Sequence, residues 1–173
     1  MTRIVDEIDE EIDEVDRIVA AWRLQRPELD LGPLEVLSRV TRLGRHLDRA
    51  RSAAFGALGL ELWEFDVLAA LRRAGDPYQL TVGALVAQTL VSSGTMTNRI
   101  DRLAGRDLVG RHRDPSDGRG VIVRLTPAGG ELVDVALSAL LAKEHDLLRG
   151  LNGEQREQLA GLLRLLLVPF DAS

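Results

Sequence analysis

Cysteine is absent from the 173 residues of this chain, and Lys143 is its single lysine. Without cysteine, a disulfide framework, a thiolate metal site and a cysteine nucleophile are excluded. No apolar run reaches the length that crosses a membrane, and the N-terminus lacks the charged-then-apolar pattern of a signal peptide. We therefore expect a soluble cytoplasmic protein with no membrane partner.

The standard signatures of enzyme sites are also missing. The sequence has no Gly-rich phosphate loop, no nucleophile elbow and no His-Glu-x-x-His pair. Its histidines, His46, His112 and His145, are scattered, so a histidine metal site would need three separate elements to converge. We expect no enzymatic activity, no metal and no cofactor.

The net charge of -5 is distributed unevenly along the chain. Residues 1–30 hold ten acids against four arginines, so the rest of the chain sums to about +1. Between residues 92 and 124, seven arginines face four aspartates. Because the local field governs attraction to phosphate more than the overall charge does, the middle of the chain suits a nucleic acid partner.

Two short helices joined by a tight turn are predicted at the start of this region. Thr81 is a good N-cap for the first helix, because its hydroxyl can accept from an unpaired backbone amide. Ser92 and Ser93 offer a second N-cap, for a helix over 94–104 that Gly105 would end in the left-handed conformation. This second helix has an apolar stripe at helical spacing, formed by Met96, Ile100 and Leu103.

The outer face of the second helix carries side chains that suit base edges or phosphates. Thr95, Asn98 and Arg102 lie at i, i+3 and i+7, with Thr97 beside them, so one stripe presents them to a groove together. For the helix alone, an ordinary solvated face is an equally good interpretation.

A hairpin after these helices favours the DNA interpretation. Residues 108–113 and 121–125 alternate as half-buried strands do, and residues 114–120 between them are dense in turn formers. Arg119 at the tip is placed to enter a narrow minor groove, or to pair with an aspartate of the same turn. The predicted contacts to double-stranded DNA are therefore Ser92, Ser93, Thr95, Thr97, Asn98, Arg102 and Arg119.

The predicted fold is mainly α with a small β-hairpin wing: a winged helix-turn-helix between long N- and C-terminal dimerisation helices. We divide the chain into an acidic N-terminal helix (1–26), helical dimerisation segments (33–58 and 126–170) and the winged unit (59–125). The terminal helices carry more apolar surface than one subunit covers, which favours a homodimer. Two recognition helices one DNA turn apart would then read a pseudo-palindromic site.

The sequence resembles the MarR family of bacterial transcription regulators over essentially its whole length, most closely from Gly59 to Leu132. The resemblance rests on the recognition helix (94–103), the wing (114–120) and the segment entering the next helix (124–129). It implies a dimer that is joined by its N- and C-terminal helices and represses genes. Such regulators often lose DNA affinity when they bind a small anionic or aromatic effector.

A narrower resemblance is to the urate-responsive branch of that family. Members carry an extra N-terminal helix, and a Trp, an Asp and two Arg line their proposed effector pocket. The matching residues are Trp22, Asp66, Arg99 and Arg111. The resemblance implies that an anionic, planar molecule such as urate, a related purine or an organic acid binds there.

The residue chemistry allows both a pocket and a purely structural role. Asp66 lies in a helix that is apolar nearly all round, and a buried lone carboxylate needs a basic partner, for which Arg99 is a candidate. A bound anion could stack on Trp22 and redirect Arg99. A lone Trp is, however, more often core than ligand platform, and Asp–Arg pairs are more often structural.

The expected function is thus a ligand-responsive, DNA-binding transcription repressor that acts as a homodimer. The alternative from another class is a helical protein-interaction module that uses the winged helix as a scaffold, without specific DNA binding.

Overall fold

The computed structural model describes residues 12–115 and 120–171. The described part of the chain contains seven helices and three short strands. In chain order they are α1 (Glu14–Gln25), α2 (Gly32–Gly56), α3 (Leu62–Arg73), β1 (Gln79–Thr81), α4 (Val82–Thr89), α5 (Ser93–Gly105), β2 (Val109–Arg113), β3 (Val121–Leu125), α6 (Pro127–Leu147) and α7 (Gly153–Asp171).

The chain divides into two compact units, Met1–Arg49 and Ala50–Ser173. In the first unit, Asp13 caps α1, since its carboxylate accepts from the backbone N–H of Asp16 at 3.0 Å. These cap hydrogen bonds, together with Arg39, lower the pKa of Asp13 to about 2. Within the described residues, α1 begins after Asp13, and Ile12 before it is 67% exposed. The predicted N-terminal helix also covered residues 1–11, which lie outside the described residues.

The second unit contains a three-stranded antiparallel sheet in the order β1-β3-β2. The predicted hairpin is present, with Val109 opposite Leu125 in the register of β2 and β3. The sheet has one strand more than predicted, because β1 places Gln79 opposite Arg124 on the other side of β3. The fold class, mainly α with a small β wing, is confirmed.

Helix α3 lies at the centre of the second unit. Val67, Leu68 and Leu71 are fully buried, and Phe65 stacks on Phe55 with ring centroids 4.3 Å apart. The apolar stripe of α5 faces the same core, as its spacing predicted. The core side chains contributed by α4, α5 and β3 are Leu85, Met96, Ile100, Leu103, Val123 and Leu125.

The predicted helix starts are confirmed by cap hydrogen bonds of 2.9 to 3.3 Å from a backbone N–H to a side-chain oxygen. At the two predicted starts, Thr81 accepts from Ala84 and Ser92 from Thr95. The structure shows the same kind of cap at the starts of α6 and α7, where Thr126 accepts from Gly129 and Asn152 from Gln155.

The predicted left-handed cap at Gly105 is wrong. Gly105 is still helical, and Asp107 takes the positive φ of 56°. The reason is that the chain closes with a hydrogen bond from the N–H of Leu108 to the carbonyl of Leu103, which requires the turn at Asp107. Aspartate tolerates this conformation better than most residues.

The first turn of α6 lies directly against the residues that precede β2. The hydroxyl of Thr126 donates to the carbonyl of Asp107 at 2.8 Å, and its backbone N–H donates to that of Leu108 at 3.1 Å. At Gly129 the helix approaches so closely that a Cβ atom would lie 2.1 Å from the carbonyl oxygen of Leu108. The position of the wing is therefore tied to α6.

Exposed apolar side chains are concentrated on the last helix of the second unit. None of the described side chains of α7 is buried, although the helix is rich in leucine. No helix among the described residues combines the length and the hydropathy needed to span a bilayer. The exposed apolar residues of α7 are Leu162, Leu165, Leu166, Leu167, Val168 and Phe170.

Candidate functional site

The outer face of α5 is exposed, as the sequence predicted. Thr95, Asn98 and Arg102 are exposed and lie on the side of the helix away from the core. Ser92 and Thr97 use their hydroxyls locally, since Ser92 bonds to Thr95 at 2.9 Å and Thr97 donates to the carbonyl of Ser93 at 3.0 Å. Among the described residues, no side chain bonds to the amide of Asn98, which is free to contact a partner.

Arg102 is held by the start of α3, which sequence reasoning did not anticipate. Its guanidinium donates to Glu61 at 2.6 Å and lies over the ring of Trp63, 4.7 Å from the centroid. The indole N–H of Trp63 donates to the same carboxylate at 2.5 Å. The Trp63 and Arg102 hydrogen bonds lower the pKa of Glu61, so this group is ionised at neutral pH. Glu61 and Arg102 are 41 positions apart, so no local sequence pattern could predict this contact.

The exposed face of α5 and this part of α3 border one open groove. Its volume is about 520 Å³. Because arginine and amide groups converge there, the groove can accept the acceptor atoms of a base edge or a phosphate. Its lining residues are Trp63, Gly94, Thr95, Asn98, Arg99 and Arg102.

The buried carboxylate of α3 is Glu64, not Asp66 as the sequence analysis expected. Glu64 is 2% exposed, and Arg106 donates to both of its carboxylate oxygens at 2.7 Å. The helical spacing explains the difference, since Glu64 lies at i, i+3, i+4 and i+7 with the buried stripe of Val67, Leu68 and Leu71. Asp66 lies two residues further on, about 200° around the helix, and is exposed.

Asp66 borders a separate open groove of about 220 Å³ between α3 and the end of α4. Partial burial raises the pKa of Asp66, and the nearby charges of Arg51, Arg99 and Arg73 oppose that rise. Among the described residues, no arginine lies within 4 Å of its carboxylate. The structure thus brings Asp66 and Arg99 within electrostatic range without pairing them.

The other predicted effector residues, Trp22, Arg99 and Arg111, have the following surroundings. Arg99 lies over Trp63, 5.4 Å from the ring centroid, and Arg111 on β2 pairs with Asp101 of α5. Trp22 belongs to the first unit, where it is 48% exposed near the end of α1.

The tip of the wing is partly outside the described residues. The backbone N–H of Asp114 donates to the carbonyl of Gly120 at 3.0 Å, which closes the base of the turn. Arg119, the predicted minor-groove contact, lies outside the described residues, and so does Asp117. Within the described ranges, no three His, Asp or Glu residues are grouped to hold a metal ion.

Comparison with known proteins gives consistent results. The sequence profile of the MarR family matches residues 58–120. The chain is 34% identical to the HTH-type transcriptional regulator PecS of Dickeya dadantii over 150 residues, which cover 87% of this chain and 90% of PecS.

Two solved structures are also similar to this chain. A mutant of MarR from E. coli, complexed with operator DNA, matches with a TM-score of 0.66 and 25% identity over 84% of this chain and 97% of that one. BpsR of Bordetella bronchiseptica has a TM-score of 0.58 and 30% identity, over 74% of this chain and 98% of BpsR. The BpsR structure concerns regulation of its DNA binding by 6-hydroxynicotinic acid.

Proposed function

Because the chain belongs to the MarR family of transcription regulators, we propose that it binds operator DNA as a homodimer and represses transcription until a small anionic effector releases it. The family that the sequence resembled is confirmed, and the chain is a transcription regulator, not an enzyme. Operator binding, repression and the effector are the proposed steps beyond that assignment.

The observation that carries the DNA-binding proposal is the exposed polar face of α5. Its apolar side is buried in the core, while Thr95, Asn98 and Arg102 lie on the opposite, exposed side of the helix. A helix held in this way can enter a major groove with its side chains already oriented. The similarity to the operator complex of E. coli MarR supports the same role.

Dimerisation and effector binding are supported by other features. The exposed leucines of α7 form an apolar face, and packing against a second copy of the chain is the simplest way to bury it. BpsR, whose DNA binding is regulated by an aromatic acid, supports an effector of that class. The resemblance to the urate-responsive branch, which rests on Trp22, Asp66, Arg99 and Arg111, narrows the proposed effector to urate and related purines.

The proposal is tested by titrating the protein against the promoter DNA upstream of its own gene, at several salt concentrations. We expect a retarded complex whose affinity falls steeply with salt, because neutralised phosphates release counterions. Urate, xanthine and aromatic acids are then added to the complex. Equal affinity for promoter and scrambled DNA would favour the protein-interaction alternative, and a complex insensitive to every added anion would remove the effector.

Asn98→Ala should lower operator affinity and weaken base preference. The amide of Asn98 is exposed and free, and a bidentate contact to a base contributes about 1 to 3 kcal/mol. The measurement compares operator and single-base operator variants by fluorescence anisotropy. If the variant keeps the wild-type ranking of operator sequences, Asn98 does not read a base.

Glu61→Gln should raise DNA affinity, by roughly threefold, and steepen its salt dependence. In the free protein Glu61 holds the guanidinium of Arg102 at 2.6 Å, so a phosphate must compete with a carboxylate for it. Freeing one cation for one more phosphate should add about 0.9 to the slope of log K against log salt. Glu131→Gln, which removes one negative charge from α6, is the control. If Glu61→Gln leaves the slope of log K against log salt unchanged, Arg102 does not contact phosphate.

A further inference from the structure

Trp63, at the start of α3, connects the charged side chains that border the exposed face of α5. Its indole N–H donates to one carboxylate oxygen of Glu61 at 2.5 Å, and Arg102 donates to the other oxygen at 2.6 Å. The guanidinium of Arg102 also lies over the indole ring, 4.7 Å from its centroid. The three side chains therefore form a closed cluster, in which each one contacts the other two.

A second arginine of α5 lies over the same ring. The guanidinium of Arg99 is 5.4 Å from the ring centroid of Trp63, and Arg99 is one helical turn from Arg102. Within the described part of the chain, Arg99 forms no ion pair with a carboxylate. The cluster thus holds two guanidinium groups and one carboxylate, and both arginines line the groove beside Thr95 and Asn98. Its net charge attracts an anionic partner.

The aromatic ring restrains an arginine that would otherwise be mobile. Arg102 is exposed, and a flexible arginine places its guanidinium at a phosphate in only some of its rotamers. Restricting the rotamers before binding reduces the ordering cost of the complex. Glu61 restrains Arg102 as well, but its carboxylate competes with a phosphate for the same N–H donors, whereas the face of an indole ring does not. Trp63 can therefore hold the guanidinium both before and after a phosphate replaces Glu61.

We infer that Trp63 is a positioning residue for DNA recognition, whose ring holds the guanidinium of Arg102 where it receives a phosphate of the DNA backbone. Glu61 is the acceptor of Arg102 in the free protein, and a phosphate oxygen takes its place on DNA. The inference rests on the proposed DNA binding. It adds a residue of α3 to an interface that the sequence assigned to α5 and the wing.

The test compares two substitutions of Trp63 in the full-length protein, by fluorescence anisotropy with labelled promoter DNA. Trp63→Leu removes the ring and should weaken DNA binding by about three- to tenfold, the range expected for the loss of one cation–π contact. Trp63→Phe keeps a ring beneath Arg102 and removes only the N–H that holds Glu61. This variant should therefore bind DNA within about twofold of wild type.

A double-mutant cycle separates the positioning of Arg102 from a structural role of Trp63, which packs partly against the core. In the Arg102→Met background, Trp63→Leu should change DNA affinity by less than about twofold, because the side chain that it positions is already absent. A ring that only supports the fold would weaken binding equally in both backgrounds.

Tyr78→Leu is the matched control for removing a ring beneath an arginine. Tyr78 lies beneath Arg72, also 4.7 Å from the guanidinium carbon to the ring centroid. Arg72 pairs with Asp134 of α6 and does not line the groove beside α5. Tyr78→Leu should therefore leave DNA affinity within about twofold of wild type.

The outcomes separate this inference from the proposed function. If wild type binds promoter DNA and Trp63→Leu weakens binding equally with and without Arg102, Trp63 is not a positioning residue, while the proposed function stands. The same conclusion follows if Trp63→Leu binds as wild type does, or if Trp63→Phe or Tyr78→Leu weakens binding as much as Trp63→Leu. If wild type does not prefer promoter DNA to scrambled DNA, the proposed operator binding fails and this inference fails with it.

Discussion

Gly129→Ala is expected to destabilise the protein by about 3 kcal/mol, the upper end of the usual cost of overpacking, because the closest neighbour is rigid backbone. The added Cβ would lie 2.1 Å from the carbonyl oxygen of Leu108 and 3.0 Å from Cδ1 of Leu125. The closest of these neighbours is backbone, so α6 must move away from the residues that precede β2. Thermal unfolding should show a melting temperature lower by about 6 to 12 °C.

The adjacent glycine supplies the matched control. A Cβ at Gly130 would meet only Cδ2 of Leu125, at an ordinary 3.7 Å. Because alanine favours the helix over glycine by up to about 1 kcal/mol, Gly130→Ala should stabilise the protein slightly. Similar melting temperatures for the two variants would show that α6 does not approach Leu108 as closely as the structure indicates.

Arg106→Met should be the second strongly destabilising change, by about 3 to 5 kcal/mol. The methionine leaves Glu64, 2% exposed, without the guanidinium that now donates to both of its oxygens. Glu64→Gln should cost less, because Arg106 is far more exposed and can be hydrated. Urea unfolding of both variants measures the difference.

The double variant and a neighbouring ion pair provide the controls. Glu64→Gln combined with Arg106→Met should cost less than the sum of the two single changes, since no buried charge is left unpaired. Arg102→Met removes a similar but exposed pair with Glu61 and should hardly change the melting temperature. Strictly additive single changes would mean that the two side chains do not interact.

Hydrophobic spacing and cap residues were sufficient to place most of the second unit. The stripe of α5 and the caps at Thr81 and Ser92 are local signals, and each is found at the predicted position. β1 was missed because three residues are too short to show a strand pattern. Its pairing with β3, which sets Gln79 against Arg124, is decided by tertiary packing.

The candidate site was less predictable than the fold. The stripe that contains Val67, Leu68 and Leu71 also contains Glu64, so this buried carboxylate could have been found from the helical period. The contacts of Arg102 with Glu61 and of Arg111 with Asp101 depend on how separate elements pack. Residue types identify the candidate residues of a site, but the tertiary structure determines which partner each side chain contacts.

The strand order has a consequence for exchanging specificity between regulators. β1 leads directly into α4, and β2 follows α5, while both strands pair with β3. The intervening 82–108 segment is therefore an insert whose two ends are anchored to one common strand. A segment transplanted from a related regulator would be held by the same strand pairing of β1 and β2 with β3, provided that its buried side chains match. Exchanging this segment should then transfer DNA sequence preference from one such protein to another, without redesign of the helices outside residues 82–108.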